Sequence, residues 1–150
     1  MFRFLLLATL LPALAVSDRF NIIPCPGINL PTHFDIPECV NGSPCDFHIG
    51  QTITLEISFQ SAGEVTQIPT LAEITRANGE VHNFPLPTGD ACNAVVGGCP
   101  IGAGHHTVRF PVTVAGILPD EQVTITVTMR DQNNLGLACG SIIAQFHPTN

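Results

Sequence analysis

The sequence predicts an all-β protein, an immunoglobulin-like β-sandwich of two antiparallel sheets around an apolar interior. Three segments, at residues 52–59, 107–114 and 123–129, alternate apolar and polar residues, and such alternation gives a strand one buried and one solvated face. Thirteen glycines and thirteen prolines indicate frequent turns, and no long segment shows helical periodicity. Many short strands that are buried on one side are typical of two packed sheets.

Weaker strands complete the predicted sheets, at residues 71–76, 81–84 and 141–146. Asn78-Gly79, between the first two, predicts a type I′ hairpin. Residues 131–136 are polar and end in glycine, so they predict a second turn before the last strand. Pro111 lies on the polar side of its segment, and since proline cannot donate to a ladder, it indicates an edge strand or a bulge.

The first 17 residues have the pattern of a secretory signal peptide. Arg3 gives a positive start, residues 4–11 are apolar, and Ala13-Leu14-Ala15 is a small-x-small cleavage pattern, with Ala15-Val16-Ser17 as a second option. The alternative, an N-terminal membrane anchor, needs about 20 apolar residues. We therefore expect residues 18–150 to be a single domain, secreted or in the endosomal–lysosomal lumen.

The charge of the chain excludes two classes of protein. Five arginines, no lysine and twelve acidic residues give a net charge of −7, and removal of the signal peptide with Arg3 leaves −8. Nucleic-acid binding requires clustered cations, so no nucleic-acid partner is expected. Charged residues make up 11% and hydrophobic residues 45% of the chain, a composition that argues against intrinsic disorder.

Six cysteines are the most specific feature of the sequence. They are Cys25, Cys39, Cys45, Cys92, Cys99 and Cys139. An even number in a secreted chain predicts three disulfides, and the alternatives are a metal site or another of the 15 possible connectivities. Closing a short loop costs the least entropy, which favours Cys39–Cys45 and Cys92–Cys99 and leaves Cys25 for Cys139.

Several further motifs accompany the cysteines in a fixed order along the chain. They are Pro44-Cys45, Gly50-Gln51 before an alternating strand, Asn78-Gly79, Phe84-Pro85-Leu86-Pro87, Cys99-Pro100-Ile101, and Asp131 eight residues before Cys139. From about Cys25 to Phe146, this combination resembles the ML lipid-recognition domain, a family that includes the Niemann–Pick type C sterol carrier and the group 2 house-dust-mite allergens. The resemblance implies two splayed sheets with a lipid cavity between them, and the same disulfide pairing that loop closure favours.

The resemblance also implies which residues contact a lipid. By family position these are Ile36, Phe47, Phe84, Val114 and Leu118. Strand parity places a further group on the inward faces: Phe110, Val112, Val123, Ile125, Val127, Ile142 and Phe146. For each of them the alternative is ordinary sandwich core. The family often has tryptophan after the last cysteine, where this chain has Gly140.

The sequence shows no pattern of a catalytic or metal site. A Gly-x-Ser-x-Gly elbow is absent, and the cysteines are assigned to disulfides, so we expect no enzyme and no cofactor. His105 and His106 are adjacent on a strand, point to opposite faces and would not chelate one metal together. Asp120-Glu121 is expected to be a solvated turn. Asn41-Gly42-Ser43 is an acceptor pattern for N-glycosylation.

The function that these observations predict is non-enzymatic binding or transfer of a sterol, a fatty acyl chain or another lipid by a monomer. Transfer of apolar ligand surface from water to protein supplies about 25 cal/mol per Å², so little charge is needed. A transient contact with a membrane or a receptor is compatible with this function. The alternative is an extracellular allergen-like or innate-immune interaction module with a solid core. A secreted enzyme or hydrolase inhibitor is a third, weaker alternative, because site residues are missing.

Overall fold

The computed structural model describes residues 21–84, 86–87, 89–115 and 120–149. The predicted signal peptide and Leu118 lie outside these ranges. The strands are β1 (Ile23–Pro24), β2 (His33–Asp35), β3 (Cys45–His48), β4 (Thr52–Ser61), β5 (Thr70–Thr75), β6 (Val81–Asn83), β7 (Gly104–Thr113), β8 (Glu121–Arg130) and β9 (Gly136–His147). A 3-10 turn at Ala91–Ala94 lies between β6 and β7. None of the described segments forms a helix that is long and apolar enough to cross a membrane.

The strands form two sheets, which confirms the predicted sandwich. The larger sheet has the order β1-β9-β8-β5-β6, and β3 also pairs with β9; the smaller sheet has the order β2-β4-β7. Neighbouring strands are antiparallel, except that β3 runs parallel to β9. Since β1 pairs with residues 140–141 and β3 with residues 144–147, these two short strands share one edge of β9.

The hairpin between β5 and β6 forms as predicted, but its turn is of a different type. Arg76 N–H donates to Glu80 O, and Gly79 N–H donates to Arg76 O, so the loop holds residues 77–79. A type I′ turn needs positive φ at both central residues. Gly79 has a φ of +89° and Asn78 has no positive φ, so the type I′ prediction is wrong. Asn78 instead accepts the Glu80 N–H on its side-chain oxygen at 3.0 Å.

The three disulfides join the cysteines as predicted. Cys25 is bonded to Cys139, Cys39 to Cys45, and Cys92 to Cys99. The first closes a sequence separation of 114 residues and ties the residue that directly follows β1 to β9. The other two close short loops of separation 6 and 7. Together they use every cysteine of the chain.

The two sides of the sandwich are closed differently. On one side, β4 and β9 approach each other with Cα atoms within 8 Å, closer than the roughly 10 Å at which two sheets usually pack. The buried residues of β9 include two with small side chains, Ala138 and Ala144. On the other side, the chain from residue 84 to residue 101 passes from one sheet to the other, and Val95 forms a bridge with Val108 on β7.

Candidate functional site

The predicted lipid-contact residues are all buried wherever the structure describes them. They are Ile36, Phe47, Phe84, Phe110, Val112, Val114, Val123, Ile125, Val127, Ile142 and Phe146. The register of the sheets places Phe110 opposite Leu55 on β4, and Ile142 opposite Ile125 on β8. The inward faces of both sheets therefore contribute to one apolar interior, as strand parity predicts. Contact of these residues with a lipid stays a prediction.

Burial is not uniform among these residues. Phe47, Val114 and Phe146 are 0% exposed, whereas Phe110 and Ile125 are each 8% exposed. Phe47 on β3 and Phe146 on β9 are thus fully withdrawn from solvent, whereas Phe110 on β7 and Ile125 on β8 keep a small contact with it.

Two of the predicted residues pack against each other as ordinary core. Phe47 and Phe146 are register partners on the parallel β3–β9 pair. Their ring centroids lie 6.2 Å apart, with the planes tilted by 40°, within the range of stabilising aromatic pairs. This contact favours the alternative of core packing at these two positions.

An apolar cleft of about 190 Å³ opens where the sheets are bridged by the chain that follows β6. Its lining consists of Thr70, Leu86, Pro87, Ala91, Asn93, Ala94, Arg109, Phe110 and Pro111. Phe110 belongs both to this lining and to the apolar interior. The cleft is therefore the place where the described surface reaches the inward face of β7.

The polar groups that line the cleft are largely engaged within the protein. Thr70 donates its hydroxyl hydrogen to Ile68 O at 2.9 Å. Arg109 donates from Nε to Glu56 Oε2 at 3.0 Å, and its Nη2 also contacts the same oxygen. A ligand in the cleft would thus meet mostly apolar surface, with the Asn93 amide as a polar group at the rim.

Pro111 explains why β7 ends the smaller sheet on the cleft side. β7 pairs with β4 on one side only within that sheet, so the prediction of an edge strand at Pro111 is confirmed. Because Pro111 has no N–H to donate, it does not offer a further strand a complete ladder. The edge is instead covered by a single bridge at Val95 and bordered by the cleft.

A second groove, of about 330 Å³, lies along β5 and β8. Its lining includes Leu71, Glu73, Thr128 and Arg130, and Leu71 is exposed to solvent. Glu73 and Arg130 give this groove charges of both signs. It contains none of the predicted lipid-contact residues, so it is a poorer candidate for a lipid site.

The two adjacent histidines of β7, His105 and His106, form separate polar contacts. His105 Nε2 lies 3.0 Å from Thr32 Oγ1, and His106 Nε2 lies 2.7 Å from Gly102 O. The two imidazoles thus have separate partners, as predicted for adjacent strand residues. Among the described residues, no three metal-ligating side chains form a group that could hold an ion.

Glu121, at the start of β8, is held by an arginine of the β5–β6 turn. Arg76 Nε donates to Glu121 Oε1 at 2.9 Å, and Arg76 Nη1 donates to Glu80 Oε2 at 2.6 Å. The hydrogen bond to Glu121 is the largest cause that raises the pKa of Arg76. Hydrogen bonds from Asn78 and then Arg76 lower the pKa of Glu80. These ion pairs connect the β5–β6 turn to the start of β8, and none of the three residues belongs to the cleft lining.

Asn41 lies on the exposed part of the loop closed by Cys39 and Cys45. The following Gly42 is buried, and its carbonyl oxygen lies 3.3 Å from Cys39 Sγ. The side chain of Asn41 is therefore accessible to a modifying enzyme, and its glycosylation stays a prediction.

Several cleft residues could not be identified from the sequence, because they lie in loops without periodicity. Leu86 and Pro87 belong to the Phe84–Pro87 motif, which carried the family resemblance but marked only Phe84 as a site residue. Ala91 and Ala94 lie on the 3-10 turn, whose start is capped by Asp90 accepting the Cys92 N–H. The feature of the sequence that could have identified these cleft residues is the apolar character of the loop.

The fold and the site define a class: a disulfide-linked β-sandwich with an apolar cleft that reaches its interior. Residues 20–146 match the family model of the ML domain, and the chain belongs to this family. No curated protein matches its sequence. Among solved structures, the chain is similar to the crystal structure of a Niemann-Pick type C2 protein from Japanese carpenter ant, with a TM-score of 0.71 and 16% sequence identity over 83% of this chain and 98% of that chain.

Membership of the ML family confirms the resemblance drawn from the cysteine and proline motifs. The similarity to the ant protein supports the sandwich architecture, since 16% identity is evidence for a shared fold and not for a shared ligand. The ML domain is known as a non-enzymatic lipid-binding fold. The three disulfides are consistent with an oxidising compartment.

Proposed function

We propose that this protein is a secreted or lumenal lipid-binding and lipid-transfer protein that holds a sterol, a fatty acid or another lipid between its two sheets. The observation that carries the proposal is the position of Phe110, which lies both in the apolar interior and in the lining of the cleft. A lipid chain that enters beside Phe110 would leave water for an apolar surface, the transfer that drives such binding.

The size of the cleft favours a slender ligand. Pockets for drug-sized ligands usually measure about 300–1,000 Å³, and the described cleft measures about 190 Å³. A single acyl chain needs a narrow passage, whereas the fused rings of a sterol need a wider one. Each buried methylene contributes about 0.8 kcal/mol, so burial of several methylenes of an acyl chain supplies a useful affinity. We therefore expect a fatty acyl ligand to bind more tightly than a sterol.

Native mass spectrometry of the protein secreted from eukaryotic cells, followed by lipid extraction, tests this proposal. A co-purifying lipid, or saturable binding of a fluorescent fatty acid to the delipidated protein, is the expected result. Absence of both would contradict the proposal. Tighter binding of a fluorescent sterol than of the fatty acid would overturn the preference for an acyl chain while leaving the lipid-binding function intact.

The proposal includes removal of the signal peptide and a monomeric product without a cofactor. Sequencing the N terminus of the secreted protein should find Val16 or Asp18 as the first residue. A secreted product that retains Met1 would contradict the assignment. Light scattering of the same sample measures the mass, and we expect one chain per particle.

The second candidate function is an extracellular interaction module with a solid core. The packing of Phe47 against Phe146 favours it, because these two predicted lipid-contact residues contact each other as core residues do. Failure to bind any lipid, together with full stability of the delipidated protein, is the outcome that would select this module over the carrier.

A further inference from the structure

Two histidines meet where β3 runs beside the end of β9. His48 and His147 are register partners in the parallel pairing of these strands, so their side chains lie on the same face of the sheet. Their ring centroids are 5.4 Å apart, and the ring planes are tilted by 37°. Because the two residues are far apart in the sequence, only the folded chain brings them together.

Each of these imidazoles has one ring nitrogen beside a group that can only accept a hydrogen bond. His147 Nε2 lies 2.8 Å from Asp46 Oδ1, and an ionised carboxylate has no hydrogen to donate. His48 Nδ1 lies 3.3 Å from the backbone oxygen of Pro148, which is also an acceptor only. The hydrogen of each neutral ring therefore lies on the bonded nitrogen, and the other nitrogen carries a lone pair.

The two nitrogens with lone pairs are His48 Nε2 and His147 Nδ1. Within the described part of the chain, neither of them forms a hydrogen bond. Both rings are accessible, since the His147 side chain is 34% exposed and His48 is half-buried. A histidine that binds a metal usually donates its other ring N–H to a carboxylate or a backbone carbonyl. Asp46 and Pro148 supply these two kinds of acceptor here.

The separation of the two rings suits two ligands of one metal ion. A Zn–N bond of about 2.1 Å puts the ion roughly 3 Å from the centre of each imidazole, so two histidines on a tetrahedral ion have ring centres roughly 5 Å apart. The observed separation is 5.4 Å. Water would occupy the remaining coordination positions, since the described residues hold no group of three or more metal-ligating side chains.

The other histidines of the described chain lack this arrangement. His105 and His106 have separate partners, Thr32 Oγ1 and the Gly102 oxygen. Among the described residues, His48 and His147 form the one contact between two histidine rings. The net charge of −7 also favours the approach of a cation.

We propose that His48 and His147 bind a divalent transition-metal ion, and that Asp46 and the Pro148 carbonyl orient the two imidazoles. Imidazole ligands suit copper, nickel and zinc, and affinity is highest for copper(II), so copper(II) should bind more tightly than zinc. None of these residues lines the apolar cleft. The proposal is therefore independent of the proposed lipid-binding function, and lipid binding would not require the metal.

Titration of the secreted protein, made without a polyhistidine tag, with copper(II) chloride tests the site. We expect saturable binding of one ion per chain, with nitrogen couplings from imidazole in the electron paramagnetic resonance spectrum. The double variant H48Q/H147Q should lose this binding, whereas the matched control H105Q/H106Q should bind as the parent does. Absence of saturable binding by the parent, or equal binding by the two double variants, would overturn the proposal.

The role of Asp46 has its own test. Loss of a carboxylate that orients a ligating histidine typically weakens metal binding 10–100-fold. Asp46→Ala should therefore weaken copper binding by about that factor, while the stoichiometry stays at one ion per chain. An unchanged affinity would show that Asp46 does not orient His147 for the metal.

Nuclear magnetic resonance of the parent protein tests the site even if the double variant fails to fold. Copper(II) is paramagnetic and broadens the signals of nuclei close to it. Substoichiometric copper should broaden the ring signals of His48 and His147 first, while those of His105 and His106 stay sharp. Uniform broadening of all histidine signals would overturn the proposal.

Discussion

The Cγ2 atom of Ile22 lies 2.7 Å from the position that a Cβ atom on residue 140 would occupy. Gly140 pairs with Pro24 at the edge of β9, and Pro31 Cδ lies 3.5 Å from the same position. Ile22 and Pro31, from the N-terminal segment, thus pack against β9 at Gly140, and a side chain at residue 140 would collide with Ile22.

Gly140→Ala should therefore lower the free energy of unfolding by about 1–3 kcal/mol, the usual cost of overpacking. Urea denaturation of the parent and the variant measures it. Ile22→Ala should partly rescue Gly140→Ala in the double variant, because the two positions share one space. Gly63→Ala is the control, since a Cβ there meets nothing within 4 Å. Equal effects of Gly140→Ala and Gly63→Ala would show that the contact is unimportant.

The three disulfides should differ in what they contribute to stability. The Cys25–Cys139 bond closes a separation of 114 residues, and the chain-entropy relation assigns about 5 kcal/mol to a loop of that length. The Cys39–Cys45 bond closes only 6 residues, for which the same relation gives about 2 kcal/mol. We expect the Cys25→Ser/Cys139→Ser variant to unfold at a much lower urea concentration than the Cys39→Ser/Cys45→Ser variant. The reverse order would mean that local strain or packing, and not the entropy of loop closure, determines how much each disulfide contributes to stability.

The parts of this fold that the sequence predicts are those with long periodic patterns. β4, β7 and β8 each have ten residues, enough for alternation to identify both the strand and its inward face. β1, β2 and β3 have two to four residues, too few for any pattern, and two of them exist because β9 offers them a partner. Their positions depend on tertiary contacts that no local pattern records.

The residues of the candidate site also fall into those that a periodic pattern predicts and those that it does not. Phe110 could be predicted, since strand parity alone places it inward. Leu86 and Ala94 could not, because loop residues reach the cleft only through the path that the disulfide and the 3-10 turn impose on the chain. The type of the β5–β6 turn was also missed, because Asn78 uses its side chain to bind Glu80 N–H and so favours a three-residue loop over the predicted two-residue one.

Glu80 should make stability depend on pH on the acid side. Its pKa is lowered in the folded protein, first by Asn78 and then by Arg76. A group with a lowered pKa stabilises the fold while it is ionised, and that contribution is lost as the pH falls through its folded pKa. Glu80→Gln should therefore lower the melting temperature slightly at neutral pH, with the difference from the parent vanishing in acid. Glu64→Gln, at an exposed glutamate, is the control. A difference that persists below the range in which glutamates titrate would have another cause.

Acid should speed lipid transfer to anionic vesicles. The chain has a net charge of −7, or −8 after removal of the signal peptide with Arg3, and a protein becomes less negative as the pH falls. Less repulsion from anionic lipid should raise the transfer rate at about pH 5 above that at about pH 7.5.

Neutral vesicles provide the control for this pH effect. Since a phosphatidylcholine surface has no net charge, the rate with these vesicles should change little with pH or salt. Equal or slower transfer to anionic vesicles in acid would argue against a role in endosomes and for a purely extracellular one.

Truncation of Phe84 best tests whether a predicted lipid-contact residue lies in the wall of a cavity or in a solid core. Its N–H donates to Ala72 O at 2.8 Å, which continues the pairing of β6 with β5, and its side chain is 5% exposed. It is not itself part of the cleft lining but lies two residues before Leu86, which is, and the family resemblance implies that Phe84 borders a lipid cavity. A residue that borders a cavity has fewer protein neighbours than one in solid core, so its truncation leaves less contact to lose.

Phe84→Ala should therefore lower the free energy of unfolding by only about 1–2 kcal/mol and weaken fatty-acid binding at least about tenfold, equivalent to 1.4 kcal/mol. Phe146→Ala is the matched control: its side chain is fully buried against Phe47, so it should cost about 3–5 kcal/mol. Urea denaturation and titration of a fluorescent fatty acid, with both variants kept folded by the disulfides, give the two quantities. If Phe84→Ala destabilises as much as Phe146→Ala and the parent binds no lipid, Phe84 is plain core and the interaction-module function replaces the carrier.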